Sequence, residues 1–374
     1  MAIMTIPRPL HLVIDDLGWF CSTDDRKQGG PSRTGVTRRH CYKDYLAVNY
    51  LGEKLGMKIS CAFVLGEWDD DNRLLSVKHL SKYGDAWDNA SYFDKTEMEK
   101  CVDAINASPY IDFTVHGLLH GYYMEGTDNK DDSDYYYKVN KEVIMVPEEE
   151  VRHRLDCFFE LVKHHGIKKE INAFVPPTFT YRVDELSKIL KDYGIKYVST
   201  IFRSMKHNEP ELSMVTIEKN GIVNVDRNNN CIPWNVYGCN TSDVPVDVSG
   251  IFGIHWPNVL HEDADKSLEV CDGIAAFFEK CSQNFGTILS KDIRFCASQL
   301  LFCRYAEIDE KDGVTTVDIS RVPRNENTDF EFYISSKEPL ETWIGCDVFD
   351  YEKKDGFWTY KIRPISEKMR FDNV

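Results

Sequence analysis

Three short stretches of this chain carry residue types that can activate water. Asp15-Asp16, with Gly18 close behind, comes directly after the apolar run Leu10–Ile14, which reads as a strand. In a strand–helix unit the C-terminal end of a strand faces the active-site side. Two adjacent carboxylates in a dry site are hard to keep ionised together unless positive charge is near. A metal ion supplies that charge, with one carboxylate as ligand and the other free as a base; a hydrated acidic turn is the simpler alternative. His116-Gly117-Leu118-Leu119-His120 follows a second apolar run, Ile111–Val115. Imidazoles four residues apart share one face of a helical turn and can reach one cation at the ~2.0–2.1 Å of a zinc–nitrogen bond. The stretch is not HExxH, because position 117 is Gly and no helix-borne Glu base is present. One Asp with two His makes three ligands and leaves positions open for water and substrate, a catalytic rather than a closed zinc pattern. His255 closes the run Gly250–Ile254, where it is either a general acid or a structural histidine.

These residues need elements that bring them together. Apolar runs alternate with amphipathic stretches through the first ~300 residues, the pattern of βα units on a mostly parallel sheet. The spacing predicts helices over Tyr42–Leu55 (stopped by Gly56), Thr96–Ala107 (opened by a Thr96/Glu99 capping box), Pro147–His165, Arg182–Tyr193 and Asp265–Ser282. It predicts strands at 12–14, 58–65, 111–115, 171–175, 196–200, 222–225 and 250–256. About seven such strands suit a (β/α) barrel better than a short open sheet. Beyond Leu300 the runs Arg304–Ile308, Val314–Ile319, Phe330–Ile334, Thr342–Cys346 and Phe357–Ile362 alternate without helical spacing, which predicts a small all-β, sandwich-like domain. The expected division is a barrel over 1–302 and a β domain over 303–374.

With these pieces in order, residues 10–285 resemble the polysaccharide deacetylase (NodB-homology, carbohydrate esterase) family, as a divergent member. Val13-Ile14-Asp15-Asp16 is similar to the family's first motif, His116–His120 to its second, Phe174-Val175-Pro176-Pro177 to its third and Gly253-Ile254-His255 to its last. The resemblance implies a distorted β/α barrel and metal-dependent hydrolysis of a C–N bond, removing an acetyl group from a carbohydrate or a small acylated molecule. It implies Asp15 as catalytic base, Asp16, His116 and His120 as ligands of a divalent metal, zinc first, and His255 as catalytic acid. The departures are Val13 for Thr, Gly117 for Ser or Thr, Val175 for an Arg that ordinarily pairs with the catalytic Asp, and Thr178 for an aromatic residue. Trp234 is the nearest counterpart of the fourth motif's tryptophan. The Arg33–His40 loop could supply the missing cation through Arg38 or Arg39. Trp19, Tyr122, Trp234 and Trp256 are the aromatic candidates for substrate contact, with Tyr123 and Tyr135–Tyr137 beside the loop after the histidines.

Composition narrows the field. The 374 residues carry 45 Lys and Arg against 61 Asp and Glu, a formal charge of −16, which repels nucleic acid and anionic membranes. No apolar run approaches the ~20 residues of a membrane span. The first ten residues lack a signal-peptide pattern, and the 12 cysteines form no CxxC pair, so the expectation is a cytoplasmic protein with free, mostly buried thiols. No GxGxxG, GxxxxGK[ST] or GxSxG stands in the sequence, against a dinucleotide enzyme, a P-loop NTPase and an α/β-hydrolase. The acidic segments Asp69–Asp71 and Asp128–Asp134 read as solvated loops. A metal-retaining carbohydrate-binding barrel without turnover, and a metal hydrolase of another bond, are the competing readings; a homo-oligomer is compatible with either.

Overall fold

The computed structural model describes residues 3–19, 35–128, 130, 133–205, 214–227, 232, 235–354 and 356–373. Trp234, Arg33 and the Asn228–Asn230 turn lie outside them.

Nine strands form one curled sheet: β1 (Arg8–Leu17), β2 (Ile59–Val64), β3 (Ile111–Gly117), β4 (Ala173–Phe174), β5 (Tyr197–Thr200), β6 (Val215–Ile217), β7 (Val223–Asp226), β8 (Gly250–His255) and β9 (Thr287–Leu289). Their order is β8-β1-β2-β3-β4-β5-β7-β6, with β9 paired to the start of β1. Seven consecutive strands, β8 to β7, run parallel, as the alternation of strands and helices predicts. The sheet is a half-barrel rather than a closed one. Strand β6 pairs antiparallel with β7 and occupies the edge that closure would need. Among the described residues the seam between β7 and β8 is crossed by one backbone bond, Ile232 N–H to the Gly253 carbonyl at 3.0 Å.

Strand side chains alternate between the two faces. Leu10, Leu12, Ile14, Cys61, Phe63, Phe113 and Val115 face helices α1 (Tyr42–Leu55), α2 (Lys95–Ala107) and α3 (Glu148–His164) in the larger core. Val13, Ala62, Val175, Val223, Val225 and Ile251 face inward and share a second core with a later helix, Ile293–Tyr305, and the C-terminal strands. Helix α1 keeps its predicted bounds: Cys41 caps its start, the Asp44 side chain accepts from the Cys41 N–H at 2.9 Å, and Gly56 ends it at φ 60°. Helix α2 starts one residue earlier than the Thr96 box predicts, because the Asp94 side chain caps it by accepting from Glu97 N–H at 3.0 Å.

Other expectations are corrected. The helix expected over Arg182–Tyr193 spans only Leu186–Asp192, since Asp184 takes φ 71° and ends regular helix before it. Asp265–Ser282 becomes a short 3-10 turn and then Ser267–Ser282, and of the spacing Leu268, Cys271, Ala275, Phe278 that predicts its buried stripe, Leu268 is exposed while Ile274 and Phe277 are buried. Helix Ile293–Tyr305 occupies ground expected to be strand from Arg304. Asp292 caps it, accepting from Phe295 N–H at 2.7 Å.

The last seven strands make two antiparallel four-stranded sheets. One of them recruits Met4–Thr5 from the chain's beginning, and the edge strand of each leaves apolar residues such as Ile344 and Tyr351 exposed. The ten described cysteines are all free, seven of them buried. No described helix is long and apolar enough to cross a membrane.

Candidate metal centre

Adjacent strand residues normally point to opposite faces, so Asp15 and Asp16 share one site only through a distortion. Asp15 continues the inward face of Val13. Between Ile14 and Leu17 the pairing with β2 slips, so that three steps along β1 match two along β2. Asp16 sits in this bulge at φ 68°, a left-handed conformation that costs about 1–3 kcal/mol for a residue with a side chain and is held by its surroundings. A second slip, between β2 and β3, makes His116 the extra residue opposite Phe63–Val64. His120 also takes a positive φ, 54°. These distortions at two neighbouring strand ends bring the ligand atoms of Asp16, His116 and His120 within 4.8 Å of one another.

The donor set fits a divalent cation. Asp16 Oδ1 is buried, has no hydrogen-bond partner among the described residues, and lies 3.4 Å from His116 Nε2. The Nδ1 of His116 donates to the Val175 carbonyl at 2.6 Å, which leaves the Nε2 lone pair for a ligand. Position 175 thus serves through its backbone, while its side chain packs in the inner core. Burial pushes the Asp16 carboxyl upward in pKa, but the imidazole of His116 beside it and the positive potential of His120 and His255 hold it well below the usual range. Burial pushes His116 down, and is outweighed by Asp16 and then Asp15, so its pKa stands above 6.5. Nitrogen must lose its proton before it can ligate. Metal retention is therefore expected to be full above the raised His116 pKa and to fall as pH drops through it, starting from above 6.5. Dialysis against buffers of graded pH checks this; retention unchanged well into the acid range would refute it.

Arg227 answers the missing arginine. It follows β7, is buried, and its Nη1 donates to both carboxylate oxygens of Asp15, at 2.8 and 3.1 Å. The guanidinium lies over Gly253 so closely that a Cβ there would stand 1.8 Å from Nη2. Phe179 covers its other side, 4.6 Å from ring centroid to guanidinium carbon. Phe179 directly follows Thr178, the position where the resemblance implies an aromatic residue. The expectation that Arg38 or Arg39 replaces the arginine is corrected: Arg38 pairs with Asp44 at 2.7 Å, and Arg39 donates to the Tyr92 carbonyl.

Gly117 has an equally specific cause. A Cβ there would stand 2.2 Å from Asp134 Oδ2. The Asp134 carboxylate accepts from His120 N–H at 2.8 Å and pairs with the buried Arg154 at 3.2 Å, so it braces the histidine turn from a distant segment. Asp134 and Asp69 are both 0% exposed, which corrects the solvated-loop reading at these two residues, while Asp71 and Asp128 are exposed as that reading expects; Asp69 receives the N–H groups of Arg73 and Leu74. Gly117→Ser, although it restores the residue expected of the resemblance, should cost about 1–3 kcal/mol by overpacking and weaken metal binding about 10–100-fold by displacing Asp134. Thermal melting and metal titration check this. A Gly117→Ser protein as stable and as metal-avid as the native one would refute the account.

The remaining candidates are placed as follows. His255 ends β8 in register with Asp15 on β1, on the same inward face. Its backbone N–H donates to Asn258 Oδ1 at 2.8 Å, which fixes the turn that follows. Trp19 is buried, with its ring centroid 5.9 Å from that of His120. Tyr122 is buried between Tyr137 and Arg154, and its hydroxyl donates to Glu150 at 3.1 Å. Trp256 is fully buried against Tyr45 and donates to His40. None of these three rings offers an exposed face in this conformation. Tyr136 and Tyr137 belong to a small hairpin, Tyr136–Val139 with Glu142–Met145.

No family model matches the chain, and no curated protein matches it. Among solved structures it is similar to a Mycobacterium smegmatis protein with a provisional polysaccharide-deacetylase description (TM-score 0.41, 12% identity, covering 75% of this chain and 86% of that one). It is similar to a mutant CE4 family pseudoenzyme with restored enzymatic activity (0.36, 11%, 78% and 68%). It is also similar to a GH57-type branching enzyme of Pyrococcus horikoshii (0.35, 14%, 59% and 47%). Likenesses at these scores carry no argument about activity.

Proposed function

We propose that this chain is a metal-dependent hydrolase that removes an acyl group, acetyl first, from a carbohydrate or sugar-like amide or ester. The observation that carries the reading is one constellation. An Asp–His–His ligand set stands at the C-terminal ends of parallel strands, beside a second carboxylate tied to a buried arginine. Two imidazoles and one carboxylate suit zinc. A divalent ion held by Asp16, His116 and His120 would polarise the acyl oxygen and acidify the attacking water. Asp15, paired with Arg227, accepts the proton of that water. His255, one strand away from Asp15, gives a proton to the leaving nitrogen or oxygen as the acyl bond breaks. The buried state of Trp19, Tyr122 and Trp256 favours chemistry on a small group over a lectin-like grip, which needs exposed ring faces.

The test is elemental analysis of the native protein followed by an acetate-release assay on a panel of N- and O-acetylated sugars. The expected result is about one divalent ion per chain and acetate as product. A protein that takes up no metal even in excess zinc, or that holds zinc and releases no acyl group from any substrate, would remove the reading.

A further inference from the structure

A second group of metal-ligating side chains, Asp70, His164 and His165, stands at the C-terminal end of α3 and shares no residue with the candidate metal centre. One ligand atom of each lies within 4.8 Å of the others. Asp70 comes from the segment after the turn Gly66–Trp68 that follows β2, and the two histidines close α3. His164 Nε2 lies 3.0 Å from Asp70 Oδ2, across 94 residues of chain. Two atoms on one tetrahedral zinc ion stand about 3.3 Å apart, so this pair could close on an ion with a shift of a few tenths of an ångström. The His165 ring is held on several sides. Phe93 stacks on it at 5.8 Å, Trp68 meets it edge-on at 5.7 Å, and its Nε2 donates to the Trp68 carbonyl at 2.6 Å. A carbonyl only accepts, so Nε2 carries the proton and Nδ1 keeps the lone pair. Metal-ligating histidines make such a backbone tie through their other nitrogen, and His116 makes one to Val175. Charge favours a cation as well. Arg73 is shared among Asp69, Asp70 and Asp71, and reaches Asp70 at Oδ1, 3.4 Å away, which leaves Oδ2 toward His164. The last carbonyls of α3 add negative potential beside both histidines. The three side chains line a groove of about 490 Å³, where Glu99 and Asp103 outnumber Lys95 and space remains for the ion's water ligands.

We propose that Asp70, His164 and His165 form a second divalent-cation site, of the zinc type, that ties the end of α3 to the segment after β2. Two imidazoles and one carboxylate suit zinc over calcium or magnesium, which take oxygen ligands. The site does not rest on the hydrolase reading. With 40% of the His164 side chain and 25% of Asp70 exposed, its ion exchanges with solvent. Protein dialysed without metal therefore loses this ion, and the site fills only when zinc is supplied.

The experiment is equilibrium dialysis of the full chain against micromolar zinc chloride at neutral pH, with bound zinc counted per chain. The native chain is expected to bind one equivalent more than His164→Ala/His165→Ala, whatever the buried centre holds. That difference separates the two sites: failure of the buried centre lowers both counts alike and leaves the difference in place. His164→Ala alone, at the more exposed of the two rings, should weaken the extra equivalent by about tenfold or more, and it serves if the double variant fails to fold. Millimolar calcium chloride should leave the difference unchanged. Equal zinc counts in the native chain and the double variant overturn the proposal. So does an extra equivalent bound as tightly after His164→Ala. A difference erased by calcium also overturns it, because the ion would then belong to the oxygen ligands of Asp69–Asp71.

Discussion

His116→Ala combined with His120→Ala is expected to take the metal content from about one ion per chain to none and to lower turnover by roughly 10³-fold or more. The magnitude follows from what the two rings contribute. They are two of the three proposed ligands, and a single carboxylate on a bulged strand end cannot hold a divalent ion alone. The several kcal/mol that a Lewis-acidic ion gives a charged transition state then disappears, at one factor of ten per 1.36 kcal/mol. The fold should survive. His116 forfeits one hydrogen bond, to the Val175 carbonyl, and His120 is only partly buried. A melting curve taken beside the metal analysis separates loss of the site from loss of the protein. A folded double variant that keeps its metal would place the ion elsewhere.

Arg227→Ala has the second largest expected effect, and it acts on stability and chemistry together. Arg227 and Asp15 are among the most deeply buried charged groups of the chain, with 2% and 4% of their side chains exposed. Removing one partner of such a pair leaves the other buried without compensation, at a cost of about 3–5 kcal/mol. The variant also opens space above Gly253 and uncovers one side of Phe179. An expected drop of that size shows in denaturant unfolding, and turnover should fall because the Asp15 carboxylate loses the group that fixes it in place. Arg227→Lys tests the geometry, since a single ammonium keeps the charge but not the fixed planar fork. It should recover most of the stability and only part of the rate. If Arg227→Ala lost less than about 1 kcal/mol and kept its turnover, the pair would not be the support of Asp15.

The parts of the site that were legible in the sequence are those that lie contiguously at strand ends. Asp15-Asp16 and His116–His120 each follow an apolar run, and run and motif together announce a site. The supporting groups were hidden by distance. Arg227 is 212 residues from Asp15 in the chain, and its one local sign is that Asp226-Arg227 closes a strand in the way Asp15-Asp16 does. Asp134 was masked by its acidic neighbours, because composition cannot tell a charged residue that faces water from one that turns inward to an arginine. Gly117 and Val175 look like losses in the sequence, whereas in the structure Asp134 and Arg227 supply what those positions lack. The helix Ile293–Tyr305 escaped periodicity for a plain reason: nine of its residues are buried, so it shows no polar face. Five of the seven C-terminal strands were legible because alternation survives even where their boundaries move by two or three residues; the charged, largely exposed edge strand Cys346–Lys354 and the last strand, Lys368–Asn373, were not expected.

The seam of the half-barrel gives the Arg227–Asp15 pair a second duty. Elsewhere around the sheet a ladder of peptide groups sets the spacing between neighbouring strands. Across the seam, among the described residues, the links are one guanidinium reaching one carboxylate and one backbone hydrogen bond from Ile232. The proposed base is therefore also a clasp of the architecture. A lineage that tried to retire the chemistry by exchanging Asp15 would loosen the closure of the strands with it, so this carboxylate would outlast the activity it serves.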